Sequence, residues 1–229
     1  MTKDYISVVY DEKRTPISNY PSKLAVYLIN RFKIEKGAKL LEIGYGRGDF
    51  LEAFQNSGLD CHGVDICSHS LRNERFFKVK CADAAKDKLP YDDGAFDVVY
   101  HKSLLEHLGD PDNLMKETFR VLKPGGRIII LTPDWVSQMK VFYEDFTHSK
   151  PYDKTSLKDL LTVYGFSKVE TELFYQLPAL WKYPSLKILS RLSQMLLSTP
   201  NARKLTELTK IKFFRWSVEL MVLGAAVKK

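Results

Sequence analysis

Three glycines at alternate positions, followed by an aspartate, are the residues whose spacing most clearly indicates chemistry. Gly44, Gly46 and Gly48 follow a short apolar run and precede a helical pattern. Glycine lets the backbone turn tightly and approach a ligand, and the N-terminus of the next helix attracts a carboxylate or phosphate. Asp65 lies 21 residues beyond Gly44, where an acid can accept hydrogen bonds from ribose hydroxyls. These residues predict a site for a nucleoside-containing cofactor.

The spacing of the third glycine separates two classes of such cofactors. A dinucleotide-binding loop has the pattern G-x-G-x-x-G, which would require glycine at position 49. The chain has Asp49 there, and a carboxylate repels a pyrophosphate group. The loop therefore favours an adenosyl cofactor over a dinucleotide, and with it argues against an NAD-dependent oxidoreductase.

The segment Glu42–Gly48 resembles the first motif of class I S-adenosylmethionine-dependent methyltransferases. Further blocks resemble later motifs of that family in the right order, and they are Asp65-Ile66, Ala82-Asp83-Ala84, Leu89-Pro90, Phe96–Tyr100, Leu105–Leu108 and Arg120–Gly126. The resemblance is strong from Ala38 to Thr132 and weak from there to Phe174. It implies methyl transfer, with S-adenosyl-L-methionine as the cofactor.

The resemblance also implies where that cofactor binds. The cofactor-binding residues expected from it are Glu42, Gly44, Tyr45, Gly46, Gly48, Asp65, Ile66, Asp83, Ala84 and His101. The glycines should pass under the methionine part, with Glu42 ordering their loop. Asp65 should bind the ribose, Asp83 the adenine amino group with Ala84 beside the ring, and His101 should lie near the methionine or the methyl group. Simpler roles stay open, because an aspartate can also cap a helix and a histidine can simply pack.

The elements that must position these residues alternate along the chain. Strand patterns at 39–44, 61–65, 76–81, 96–100, 127–132, 169–174 and 218–227 are separated by helical patterns. Such alternation predicts a parallel sheet with helices on both faces, with ligands beyond the carboxyl ends of the strands. With the family resemblance, we expect an α/β, Rossmann-like, doubly wound and mostly parallel seven-stranded sheet, with an antiparallel last strand and a helical insertion before it.

The net charge of +7 lies in one stretch near the C-terminus. Residues 180–215 contain eight basic residues and one acidic residue, Glu207, so the rest of the chain is neutral. We expect residues 1–36 to be an N-terminal helical segment covering the site and residues 37–178 with 214–229 to form the methyltransferase domain. Residues 179–213 should be a basic amphipathic cap. Such a cap can be a lid with a solvated rim, or it can contact an anionic membrane.

The sequence gives less information about the methyl acceptor and the catalytic residues. S-adenosylmethionine is already a good methyl donor, so a base is needed only for an acceptor that is protonated at neutral pH. The candidate base is His148, with Asp145 placed to orient it, because both lie in the loop after the fifth strand. The alternative is that this pair only closes the loop. The five histidines have no ligand spacing with cysteines or acids, so no metal site is expected.

Composition sets the remaining expectations. Cys61, Cys67 and Cys81 have no CxxC spacing and are expected to be reduced core residues. No export signal or membrane span is visible, so we expect a cytoplasmic protein, with contact at a membrane surface left open. The favoured function is methyl transfer, by an in-line SN2 reaction, to a small-molecule, glycan or lipid-linked acceptor. Nucleic acid is disfavoured because the aromatic residues are not interleaved with the basic ones. The alternative is a non-catalytic cofactor-binding module that interacts through its basic helices.

Overall fold

The computed structural model describes residues 16–66 and 78–229. The strands are β1 Lys39–Ile43, β2 Asp60–Asp65, β3 Lys78–Cys81, β4 Phe96–Lys102, β5 Leu122–Pro133, β6 Phe166–Phe174 and β7 Met221–Lys228. The α-helices are α1 Tyr20–Phe32, α2 Asp49–Asn56, α3 Asp112–Val121, α4 Trp135–Gln138, α5 Lys154–Val163, α6 Pro178–Lys182, α7 Lys187–Leu196, α8 Thr199–Thr209 and α9 Lys212–Val218. Short 3₁₀ turns occur at Leu105–His107, Phe142–Glu144 and Pro184–Leu186.

The strands form one seven-stranded sheet in the order β3-β2-β1-β4-β5-β7-β6. Strands β2 and β4 both pair with β1 in parallel, and β3 pairs with β2 in parallel. The last strand runs the other way. Asp134, just after β5, donates its N–H to Leu220, just before β7, and Ser167 at the start of β6 bonds to Val227 at the end of β7. The predicted Rossmann-like fold with an antiparallel last strand is confirmed.

The chain divides into two compact units. The first contains the described part of Met1–His101, with Asp112–Ile128 and Lys228. Its centre is β1, whose residues from Leu40 to Ile43 are all buried. Helix α1 packs against α2, and α2 packs against β2. This unit therefore contains the glycine loop and the ends of the strands that the loop depends on.

The second unit contains Lys102–Pro111, Ile129–Val227 and Lys229. Helix α5 packs against β6, and α9 packs against both α7 and α8. The segment predicted to be a helical cap is indeed folded as the helices α6 to α9. Within the described residues, no helix is both long and apolar enough to cross a bilayer.

Several element ends differ from those that the sequence patterns predict. Helix α5 begins at Lys154 and is capped by Asp153, whose carboxylate accepts from the Ser156 N–H. Strand β7 begins at Met221 because Val218 still belongs to α9. Each difference arises because local periodicity does not fix where tertiary packing ends an element.

The cysteine expectation holds only in part. Cys61 is a free, buried thiol, and its burial raises its pKa to about 12. Cys81 is disulfide-bonded, which corrects the expectation that it is reduced. Cys67 lies outside the described residues.

Candidate cofactor site and a second polar cluster

The glycine loop adopts a backbone that other residues avoid. Gly44, Gly46 and Gly48 have φ angles of 73°, 54° and 88°, a left-handed region that costs an L-residue about 1–2 kcal/mol. The Gly48 N–H closes the turn on the Tyr45 carbonyl at 2.8 Å, and α2 starts at the next residue. All three glycines are therefore needed for the backbone conformation itself.

Asp65 holds this loop from the end of β2. Its carboxylate accepts hydrogen bonds from the N–H groups of Gly46 and Ile66, each at 2.7 Å. Residues separated by about twenty positions in the chain are thus in direct contact, as the predicted site requires. A carboxylate in this position faces the loop, where a ribose hydroxyl could share it.

The space beside Gly46 is open. A Cβ atom added there would meet no other atom within 4 Å. At the adjacent start of α2, Asp49 forms an ion pair with Arg47 at 2.5 Å. The Arg47 guanidinium offsets the charge of Asp49, so the argument against a dinucleotide depends on the spacing of the glycines. The loop offers open space for a ligand beside Gly46.

Two residues of the predicted site turn out to be buried beneath the loop. The Tyr45 ring fills the space over Gly63, where an added Cβ would lie only 2.7 Å from Tyr45 Cδ1. Glu42 is also buried, in register with Gly63 on β2 and Tyr100 on β4. Burial, together with the charge of Glu42, raises the pKa of Tyr100. The cofactor-binding roles of Glu42 and Tyr45 stay predictions.

Asp83 and Ala84 lie in the turn after β3. The Asp83 carboxylate accepts from the Ala85 N–H at 2.9 Å and forms an ion pair with Lys86 at 3.2 Å, so it does cap the following turn. Asn113 donates its side-chain N–H to the Ala84 carbonyl at 3.0 Å and ties this turn to α3. Contact with adenine stays a prediction. Asn113 was not anticipated, because an asparagine near a helix start has no distinctive spacing.

His101 lies inside β4 rather than beyond its end, because this strand continues to Lys102. Its side chain is fully buried, and neither ring nitrogen has a hydrogen-bond partner among the described residues. Burial lowers its pKa to about 3, so the imidazole is neutral at physiological pH. Its predicted position near the methionine part of the cofactor is not tested by these contacts.

The second unit contains a separate polar cluster around the predicted base. His148 bonds through Nδ1 to the Phe142 carbonyl at 2.7 Å, while its Nε2 lies 4.0 Å from Asp145. The other oxygen of Asp145 accepts from the Thr147 hydroxyl at 2.6 Å, and that hydroxyl contacts His107 Nδ1 at 2.9 Å. Asp145 therefore orients His107 through Thr147, whereas a carbonyl orients His148. The catalytic roles of His148 and Asp145 stay predictions.

Glu106 joins this cluster from the 3₁₀ turn. It is 1% exposed, and burial raises its pKa to about 7. Its backbone carbonyl accepts from the N–H groups of Ser149 and Lys150 at 2.8 and 3.1 Å, which fixes the loop that carries His148. Neither Glu106 nor His107 was predicted as a site residue, because nothing in their local spacing points to His148.

Comparison with known proteins identifies the family. A family model described as a methyltransferase domain matches residues 17–171, and the chain belongs to this family. The resemblance to class I S-adenosylmethionine-dependent methyltransferases is confirmed, and S-adenosylmethionine is the cofactor of this family.

Individual relatives are more distant. A sterol 4-C-methyltransferase of Caenorhabditis elegans is 29% identical over 55% of the chain and 41% of its own length. A phosphoethanolamine N-methyltransferase of the same organism is 25% identical over 63% of the chain and 36% of its own length. The chain thus spans less than half the length of these relatives. A solved S-adenosylmethionine-dependent methyltransferase from Archaeoglobus fulgidus shares the fold, with a TM-score of 0.65 at 24% identity, over 98% of this chain and 100% of its own.

Proposed function

We propose that the chain binds S-adenosylmethionine at Gly44–Gly48 and Asp65 and transfers its methyl group in line to an acceptor. The observation that carries the proposal is the pairing of Gly46 N–H with the Asp65 carboxylate beside open space. The sulfonium supplies the reactive methyl carbon, so the protein has mainly to align the nucleophile and exclude water.

The sequence favours three classes of acceptor, which are small molecules, glycans and lipid-linked molecules. Among these we propose an amphiphilic small molecule or a lipid-linked molecule. One relative is named for a sterol, which is an amphiphile. In addition, the second unit has a cavity of about 460 Å³, a size typical of small-molecule sites. Its apolar lining includes Val136, Met139, Leu173, Leu197, Val218 and Leu220. Charged residues such as Asp134, Lys140 and Asp153 also line it, so the cavity suits a molecule with both a hydrocarbon and a polar portion.

Titration calorimetry tests the cofactor half of this proposal. The full chain is expected to bind S-adenosylhomocysteine with one equivalent and to show no heat with NAD, because position 49 is not the glycine that a dinucleotide-binding loop requires. Binding of NAD alone would overturn the proposal. If S-adenosylhomocysteine binds but radiolabelled methyl groups reach no sterol, phospholipid or glycan acceptor, the non-catalytic module becomes the better description.

We further propose that the basic segment meets an anionic membrane surface. Helix α7 has the reverse of the usual polarity of a surface helix. Ser190 is buried, with its hydroxyl 2.9 Å from the Ser217 hydroxyl, while the apolar residues of α7 face outward. Met195 and Leu196 are each 82% exposed. The exposed Arg191 lies on the same helix, and the whole segment has one acid against eight bases. An apolar face in a segment with an excess of positive charge matches an anionic bilayer rather than a neutral one.

Part of the segment is nevertheless packed into the protein. Leu180 forms a small core with Tyr175 and Leu220, and the Trp181 indole donates to the Tyr175 carbonyl at 2.7 Å. These two residues therefore do not contribute to an exposed apolar face. The surface proposed for the membrane is the outward face of α7, formed by Ile188, Leu189, Leu192, Met195 and Leu196.

Vesicle sedimentation tests this surface. We expect the chain to sediment with vesicles containing phosphatidylserine and not with pure phosphatidylcholine, and to be released by salt because the attraction is screened. Met195→Glu is expected to abolish sedimentation, whereas Val163→Glu, at a residue 79% exposed on α5, should leave it unchanged. Equal sedimentation of both variants would refute the proposal. A concentration-dependent dimer that Met195→Glu disrupts would instead assign the face to a second copy of the chain.

A further inference from the structure

Three side chains of the second unit converge on one point. Glu106, His107 and His148 each offer a ligand atom, and these atoms all lie within 4.8 Å of one another. Glu106 and His107 are neighbours in the 3₁₀ turn, and His148 is brought to them by the hydrogen bonds of Ser149 and Lys150 to the Glu106 carbonyl. The convergence is thus built by the backbone and does not depend on flexible surface side chains.

Each histidine is oriented through its Nδ1 atom. The Phe142 carbonyl can only accept, so His148 donates its Nδ1–H and has the Nε2 lone pair directed elsewhere. The Thr147 hydroxyl donates its proton to Asp145, so it accepts from Nδ1–H of His107. Metal-binding histidines nearly always donate their second ring N–H to a carbonyl, a carboxylate or a comparable acceptor, which fixes the tautomer and the ring orientation. Both rings have this arrangement.

Glu106 supplies an anionic ligand with the same kind of support. Thr132 donates its hydroxyl to Glu106 Oε2 at 3.0 Å, while Oε1 is buried and has no hydrogen-bond partner among the described residues. A buried carboxylate oxygen without a donor is costly unless a cation or another group compensates it. One oxygen is therefore positioned and the other is available to a ligand.

We propose that Glu106, His107 and His148 bind a divalent transition-metal ion, with zinc as the best match. Two imidazoles and one carboxylate are a ligand set of zinc sites that leave a fourth position open. Magnesium and calcium instead prefer all-oxygen sites. Bonds of about 2.0–2.2 Å require ligand atoms about 3.5 Å apart, so small side-chain rotations close the observed separations.

The local charges permit a cation. Lys102 acts on the Glu106 carboxyl with positive charge, and Asp145 acts on it with negative charge. A bound ion would supply Lewis-acid chemistry to an oxygen ligand in the open position. Because the ion would occupy Nε2 of His148, that nitrogen is then a ligand and no longer a base.

The test uses the full chain after removal of metals with a chelator. We expect one equivalent of Co²⁺ to bind and to produce visible absorption bands, which one equivalent of Zn²⁺ then abolishes. Glu106→Gln and His148→Asn should each weaken Co²⁺ binding more than about 100-fold, because they remove a ligand. Thr147→Val should weaken it about 10- to 100-fold, the usual effect of losing an orienting partner.

Matched controls come from the same chain. Glu144→Gln makes the same chemical change at a carboxylate that pairs with Arg203 instead, and His62→Asn removes a histidine of the first unit; both should bind Co²⁺ like the wild type. Circular dichroism and S-adenosylhomocysteine titration confirm folding of every variant. Failure of the wild type to bind Co²⁺ or Zn²⁺, or equal binding by Glu106→Gln and the wild type, would overturn the metal site. Neither result depends on whether methyl transfer occurs.

Discussion

Replacing Gly46 by alanine is expected to weaken S-adenosylhomocysteine binding about 10- to 100-fold, because a methyl group forced into a fitted contact costs about 1–3 kcal/mol. In the free protein the added Cβ meets nothing within 4 Å, so the substitution does not disturb packing. Its effect on binding therefore reports directly on whether the cofactor occupies the space beside the loop. Calorimetric titration of wild type and variant measures it.

Gly37 provides the matched control. It also has a left-handed backbone, with φ 80°, and an added Cβ there would likewise meet nothing within 4 Å. Gly37→Ala should therefore suffer the same backbone strain of about 1–2 kcal/mol and lose similar stability. It lies in the turn before β1 and should keep full affinity. If both variants lose affinity equally, strain alone explains the effect and the loop is not the binding site.

The glycine loop could be predicted because its information is local. Few residues other than glycine adopt the left-handed backbone found at Gly44, Gly46 and Gly48, so the three glycines themselves predict this conformation. The partner Asp65 follows from the parallel βαβ connection, which brings the ends of β1 and β2 together. The direction of the Tyr45 ring could not be predicted, since it depends on the absence of a side chain at Gly63 on the next strand.

The polar cluster of the second unit could not be predicted from local sequence patterns. His107 and His148 have ring centres 4.9 Å apart but lie forty-one positions apart in the chain. Their approach depends on main-chain N–H groups of Ser149 and Lys150 bonding to the Glu106 carbonyl. Any residue type except proline can donate a main-chain hydrogen bond of this kind, so no sequence motif predicts these contacts.

Net charge was informative only as a sum over the basic segment. The count of eight basic residues and one acidic residue does not show that Glu219, just beyond the segment, forms ion pairs with two of the basic residues. The Glu219 carboxylate is 5% exposed and accepts from Arg215 Nε at 2.9 Å and from Arg203 Nε. These two arginines therefore hold α8 and α9 to the start of β7. The remaining bases are the ones available to a surface partner.

Glu219→Gln is accordingly expected to destabilise the chain by about 3 kcal/mol, the lower end of the usual cost of breaking a buried ion pair. The lower end applies because Arg203 and Arg215 are 25% and 45% exposed and water can partly solvate them. In a chain of this length the change corresponds to a fall in Tm of about 2–4 °C per kcal/mol. Urea unfolding followed by circular dichroism measures the loss of stability as a shift of the midpoint urea concentration.

Glu144→Gln isolates the effect of burial in the same network. Glu144 also pairs with Arg203, but its side chain is 57% exposed, and exposed pairs contribute only about 0–1 kcal/mol. We therefore expect little change in the unfolding midpoint for Glu144→Gln and a large one for Glu219→Gln, with S-adenosylhomocysteine binding retained in both. Similar midpoints for the two variants would mean that Glu219 does not anchor these helices, and that apolar contacts and hydrogen bonds such as Ser190–Ser217 hold them instead.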